Sequence, residues 1–222
     1  CEDGKPFGEE YTLVSIADYL LSRVYNEALQ TGKSIEEVAA PYQLVTSSNL
    51  SSSRALRDVT EQYGGEYFAA AVGEVNVTTK MREVGALIGG EGNGGVIYPA
   101  LHYGRDAMVG VALFLTNLAY KKMKVSELRA TYPEYVIAKN KIELSDSALI
   151  DKILDEIKKV YASEDINTID GVKISFEARK EWVHLRKSNT EPIIRIYAEA
   201  ASQEAADALA QQIIDIANKI IK

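Results

Sequence analysis

The chain has 222 residues, 46% of them hydrophobic, and its 25 Lys and Arg against 32 Asp and Glu give a formal net charge of −7. That length holds one or two globular domains with ordinary apolar cores. The acid excess, with no basic stripe, excludes a nucleic-acid binder, and no apolar stretch reaches the roughly 20 residues of a membrane helix.

The chain opens on Cys1-Glu2-Asp3-Gly4-Lys5, which reads as the far side of a hairpin; a start without Met predicts that the sequence was cut from a longer protein. Residues 11–30 carry Leu13, Ile16, Ala17, Leu20, Leu21, Val24 and Leu29 at helical spacing, with Glu9 and Glu10 at the favourable end of the dipole and Gly32 as a stop. A short apolar strand over 42–47 follows. Ser51, Ser52 and Ser53 then offer caps for a helix to about Tyr63, ended by Gly64 and Gly65. Residues 66–72 read as a strand, 76–83 as a helix, and 86–88 as a short buried strand, an alternation that suggests an α/β unit. Residues 89–95 are predicted to be a glycine-dense loop, and 106–121 a long apolar helix begun by Asp106.

The polar run 121–126 predicts a domain boundary. Beyond it come a strand over 135–142, a helix over 146–161, strands over 171–176, 181–185 and 193–197, and an amphipathic helix over 202–219. The predicted architecture is therefore an α/β domain at 1–126, a mixed sheet with flanking helices. A smaller α+β domain at 127–222 follows, an antiparallel sheet with helices on one face.

Two loops carry chemistry. Between the last two strands, Arg186, Ser188, Asn189, Thr190 and Arg195 gather guanidinium forks, hydroxyls and an amide, while Pro192 keeps Glu191 out of the helical region. Such a set reads either as a metal-free phosphate cradle or as a polar hairpin loop with a surface arginine at each end. The glycine-dense loop is neither a Walker loop nor a dinucleotide fingerprint. Between its glycines stand Glu91 and Asn93, flanking Gly92, and a carboxylate there either reads adjacent sugar hydroxyls or simply faces solvent on a flexible turn. His102 and Arg105 lie downstream and are candidates for the same site; Asp106 reads as a helix start. His184 reads as a strand-surface histidine, and Trp182 as packing. One cysteine, Cys1, and two histidines rule out an internal disulfide, a Cys-based zinc site and a His-rich metal site, and suit a reducing cytoplasm.

Taken together the two loops resemble the α-D-phosphohexomutases, the phosphoglucomutases, phosphomannomutases and phosphoglucosamine mutases. Gly90-Glu91-Gly92-Asn93-Gly94-Gly95 is similar to the sugar-binding loop of that family's third domain, and Arg186-Lys187-Ser188-Asn189-Thr190-Glu191-Pro192 to the phosphate loop of its fourth. Val72-Gly73-Glu74-Val75-Asn76-Val77 resembles a segment that precedes the sugar loop. The resemblance implies a four-domain enzyme that moves a phosphoryl group from a phosphoserine to a hexose phosphate and back through a bisphosphorylated sugar. The serine and an Asp-rich magnesium loop would belong to N-terminal domains missing from this sequence. This chain would bind no metal itself, and alone it would hold phosphosugar without turnover. Relatives often carry a basic residue where Ala69, Ala70 and Ala71 stand, which puts an acid–base role there in question. The rival expectation is a non-catalytic phosphosugar-binding or regulatory module.

Overall fold

The computed structural model of the chain describes residues 1–144, 148–188 and 193–221. They form two compact units, Cys1–Pro133 and Glu134–Lys222. The division falls after Pro133, where the sequence places it after Ser126. Residues 127–133 are tied back into the first unit. Arg129 Nε donates to Phe7 O at 3.1 Å, and its guanidinium stacks on Tyr11. Tyr132 OH donates to the buried Asp18, and Tyr11 OH donates to Pro133 O.

The first unit runs α1 (Glu9–Thr31), α2 (Ile35–Ala39), β1 (Gln43–Asn49), α3 (Ala55–Gln62), β2 (Glu66–Ala70), α4 (Glu74–Val84), β3 (Ala86–Glu91), β4 (Gly95–Ile97), α5 (Ala107–Lys121) and α6 (Val125–Ala130). Its sheet has the order β2-β1-β3-β4, with β1 parallel to both β2 and β3 and β4 antiparallel to β3. The strand β1 is buried on both faces, which explains its unbroken apolar and small-residue run. Val45 packs with Val77 and Met81 of α4, while its neighbour Thr46 meets Thr60 of α3 at 2.6 Å. On α1, Leu13, Ile16, Ala17 and Leu21 are all buried to 2% exposure or less; each large aliphatic chain so buried contributes about 1.5–3 kcal/mol. Gly32 ends the helix in the left-handed region.

One difference from the sequence reading matters. The strand β3 does not stop at Ile88 but runs on through Gly89, Gly90 and Glu91, so the loop shrinks to residues 92–94. The helix α5, predicted from its apolar composition, leaves Met108, Val111 and Leu115 exposed.

The second unit contains β5 (Val136–Glu143), α7 (Ala148–Val160), β6 (Asp165–Asn167), β7 (Val172–Phe176), β8 (Glu181–Lys187), β9 (Ile193–Ala200) and α8 (Gln203–Ile221). Its sheet, ordered β5-β9-β8-β7-β6, is wholly antiparallel. One face, with Ile174, Val183, Leu185, Ile194 and Ile196, packs on Ile150, Ile153 and Ile157 of α7 and Leu209 and Ile213 of α8. The alternate residues Trp182, His184 and Arg186 belong to the other face. The short β6 lies outside what the sequence predicts. No helix among the described residues is long and apolar enough to cross a membrane.

Candidate functional site

In the first unit the chemistry gathers at the carboxyl ends of β1 and β3, where open parallel sheets present their ligand-binding loops. Glu91 is the last residue of β3 and is 6% exposed. A buried carboxylate needs donors. Its Oε1 accepts from Asn49 Nδ2 at 2.9 Å and from Gly73 N at 3.2 Å, and its Oε2 lies 3.6 Å from Arg105 Nη1. Arg105 is anchored from the other side by Glu74, which accepts from its backbone N at 3.0 Å and its Nε at 2.8 Å. Those two bonds, the backbone one foremost, hold the half-exposed Glu74 carboxyl below its usual range.

Gly92, Asn93 and Gly94 close the β3–β4 hairpin, with Gly94 at φ +83°, a conformation that favours glycine. Asn93 is exposed, and its Oδ1 accepts from Gly95 N at 3.1 Å, so the side chain shapes the turn while standing at its tip. Gly92 N donates to Ser52 Oγ at 3.0 Å. A Cβ on Gly92 would overlap the carboxylate of Glu10, which itself accepts from Ser53 N at 2.8 Å.

His102 is exposed and takes part through Asp106. Gly104 N donates to its Nδ1 at 3.1 Å, so its proton sits on Nε2, 3.0 Å from Asp106 Oδ2. Asp106 Oδ1 caps α5 by accepting from Met108 N and Val109 N. The Val109 bond first and His102 second keep its carboxyl below the ordinary value. The cluster thus joins Glu91 and Glu74 to one guanidinium, with the His102–Asp106 pair at the start of α5 beyond it. Such a surface accepts hydrogen bonds from hydroxyls and repels anions.

The second unit has the opposite character. Arg186 of β8 and Arg195 of β9 stand directly opposite each other in the ladder, on the face away from the helices. Both Nε atoms are buried with no hydrogen-bond partner among the described residues. Like charges so placed are mutually destabilising, and buried donors without a partner cost more. Ser188 N donates to Ile193 O at 3.0 Å, which closes the hairpin end next to them, and Ser188 is buried. Asn189 and Thr190 lie outside the described residues. His184, predicted at the strand surface, is 1% exposed, with Nε2 2.6 Å from Asp170 O; burial pushes its pKa down to about 4. It is a core residue.

The structure brings Glu91, Gly92 and Arg105 together and sets Arg186 beside Arg195. Sequence reasoning missed Asn49 and Ser52, which hold Glu91 and Gly92 from 42 and 40 residues away, and Glu10, whose carboxylate lies against Gly92 and accepts from Ser53 N, 43 residues on. Gly73 and Glu74 stood in a motif singled out for resemblance, but no role in the site was legible there.

Residues 10–135 match the family profile described as phosphoglucomutase/phosphomannomutase, alpha/beta/alpha domain III, and residues 140–216 match that of the C-terminal domain IV. Among curated proteins, the chain is 34% identical over 175 residues to a probable phosphoglucosamine mutase of Methanopyrus kandleri, covering 78% of this chain and 38% of the relative. It is 35% identical over 182 residues to the phosphoglucosamine/phosphogalactosamine mutase of Sulfurisphaera tokodaii, covering 81% and 39%. Among solved structures, a phosphoglucomutase/phosphomannomutase family protein of Burkholderia thailandensis aligns with TM-score 0.73 at 25% identity, over 98% of this chain and 43% of that one. N-acetylphosphoglucosamine mutase of Aspergillus fumigatus, solved with GlcNAc-6P and magnesium, shares the fold with TM-score 0.64 at 16% identity, over 92% and 46%. The chain thus spans about two fifths of the length of these relatives.

Proposed function

Since this chain belongs to the phosphoglucomutase/phosphomannomutase family and carries its third and C-terminal domains, we propose that it is the substrate-holding part of a phosphohexomutase. The whole enzyme would interconvert hexose 1-phosphate and hexose 6-phosphate by phosphoryl transfer through a bisphosphorylated sugar. The first unit would read sugar hydroxyls through Glu91, Gly92 and Asn93, with His102 and Arg105 supporting. The second would grip the ester phosphate that is not reacting, through Arg186, Ser188, Asn189, Thr190 and Arg195. Phosphoryl transfer depends mainly on positioning and charge, so remote binding energy of this kind orients the reacting end. The reacting phosphoserine would come from the enzyme's other domains.

The observation that carries the reading is the pair of side-by-side arginines whose buried Nε atoms have no hydrogen-bond partner among the described residues. It supports an anion ligand in the second unit, while the acid-rich cluster around Glu91 supports a polyol in the first. Magnesium does not fit the residues present: among those described, no group of three or more His, Cys, Asp or Glu is placed to hold a metal ion. No step proposed for this chain runs through one. The names of the relatives make glucosamine phosphates the first ligands to try, ahead of glucose and mannose phosphates.

The test is a titration of the 222-residue chain with hexose 6-phosphates and hexose 1-phosphates, followed by NMR. The parent chain binds weakly and shows no mutase turnover. R186A, which removes a charged partner of the phosphate, loses about tenfold or more in affinity. Equal titrations of parent and R186A refute the phosphate assignment, and robust turnover by the chain alone refutes the division of labour.

A further inference from the structure

Glu91 is a buried carboxylate whose two oxygens face different surroundings, and the difference traces to Asn49 at the end of β1. We propose that Asn49 is the positioning residue that aims Glu91, fixing which carboxylate oxygen is offered to a sugar hydroxyl. The inference rests on Glu91 being the sugar-reading residue, as proposed above.

The orientation of the Asn49 amide follows from its partners. Its Oδ1 accepts from Ser51 N at 2.9 Å and from Ser52 Oγ at 3.1 Å. A backbone N–H can only donate, so the oxygen must face Ser51 and the NH2 must face the carboxylate. That NH2 donates to Glu91 Oε1 at 2.9 Å, and Gly73 N adds a second donor at 3.2 Å. With two donors Oε1 is filled. Oε2 has Arg105 Nη1 at 3.6 Å, beyond a hydrogen bond, and keeps accepting capacity for hydroxyl protons.

Ser52 extends the same grip to the main chain. It gives its proton to Asn49 Oδ1 and accepts from Gly92 N at 3.0 Å. Asn49 therefore holds the side chain of residue 91 directly and the backbone of residue 92 through one hydroxyl. The loop after β1 sets both the direction of the carboxylate and the height of the turn that follows it. Asn49 commits its oxygen to Ser51 and Ser52 and its NH2 to Glu91, so it acts through Glu91 and not on a ligand.

An aspartate at this position separates aiming from folding. N49D keeps the acceptor for Ser51 N and Ser52 Oγ but replaces the NH2 donor with an oxygen set against the Glu91 carboxylate. Two carboxylates at that distance share one proton at reduced pH. The other charged groups facing the site are Arg105 with Glu74 behind it, Glu10 on α1, and Asp106 with His102 at the start of α5. They are the same in parent and variant, so the ratio of the two affinities isolates the pair.

The experiment is an NMR titration of the 222-residue chain and its E91A and N49D variants with glucosamine 6-phosphate, and separately with inorganic phosphate, at pH 7 and pH 5. The expected result is a loss of about tenfold in sugar-phosphate affinity for N49D at pH 7. That loss shrinks at pH 5, and the affinity for inorganic phosphate is unchanged throughout. If E91A binds glucosamine 6-phosphate as the parent does, the sugar-reading role of Glu91 fails and this inference goes with it. If E91A weakens binding but N49D matches the parent, the aiming role alone is wrong. An N49D loss that persists at pH 5, or that extends to inorganic phosphate, marks general damage and also overturns it.

Discussion

Replacing Arg195 by methionine should stabilise the second unit and weaken its hold on phosphate. Arg195 faces Arg186 across the β8–β9 ladder, and each has a buried Nε without a partner among the described residues. Cross-strand like charges cost roughly 0.2–1 kcal/mol, and an unsatisfied buried donor about 1–3 kcal/mol. Methionine keeps most of the aliphatic stem, so a net gain of about 1 kcal/mol is expected without ligand. The unit runs from residue 134 to 222, which is 89 residues, and for that size about 1 kcal/mol moves Tm by roughly 4–8 °C. Phosphate reverses the order: at tenfold excess over a Kd of about 1 mM it adds about 1.4 kcal/mol to the parent and little to R195M. Trp182, the chain's one tryptophan, lies on β8, so its fluorescence during heating reports this unit. An R195M chain less stable than the parent in phosphate-free buffer, or two chains that gain equally from phosphate, would refute the argument that the arginines are held in strain for an anion.

Three further outcomes are expected. His184 has a folded pKa near 4, pushed down chiefly by burial. The unfolded chain takes up a proton near pH 6.5 that the folded chain refuses, so this contribution is complete above that pH and is lost as pH falls toward 4, by about 3 kcal/mol in all; H184Q should flatten that slope in urea unfolding curves. G92A should lower the melting temperature, because its Cβ meets the Glu10 carboxylate, and adding E10A should recover part of the loss; if the double variant is no more stable than G92A, the clash is not the cause. W182F removes the Nε1 donation to the buried Glu199 Oε1 at 2.6 Å and should cost about 1.5–3 kcal/mol by circular dichroism, a figure near zero counting against that bond.

What was legible in the sequence were the elements whose local signal and tertiary role agree. The helix α1 shows its buried stripe and its glycine stop in the same stretch, and the second unit's strands alternate because one face alone packs on helices. The reading broke where one residue type carries two meanings. Glycine signals a turn, so β3 seemed to end at Ile88; yet a Cβ on Gly89 would come within 2.6 Å of Ser47 O on the neighbouring strand. Gly90 is hemmed in by Gly95 O of β4. The glycines that look like a loop are what let three strands close together and carry Glu91 into the interior.

The site itself was legible as chemistry and illegible as geometry. Glu91 and the two arginines could be picked out by type and spacing, but each also allowed a plain reading, a turn carboxylate or a polar hairpin loop, and the family resemblance is what set them apart. Asn49 and Glu10 could not be picked out, since nothing in an asparagine at a strand end, or a glutamate in a first helical turn, announces a partner about 40 residues on. Local patterning encodes what a residue does alone, whereas aim requires a second element at a fixed distance, and that distance exists only after the parallel sheet has formed. The division of charge follows the same logic: the whole chain is acidic, yet the arginine pair with its buried Nε atoms supports the anion site proposed for the second unit, because close approach outweighs a screened net charge of −7 over a Debye length of roughly 10 Å.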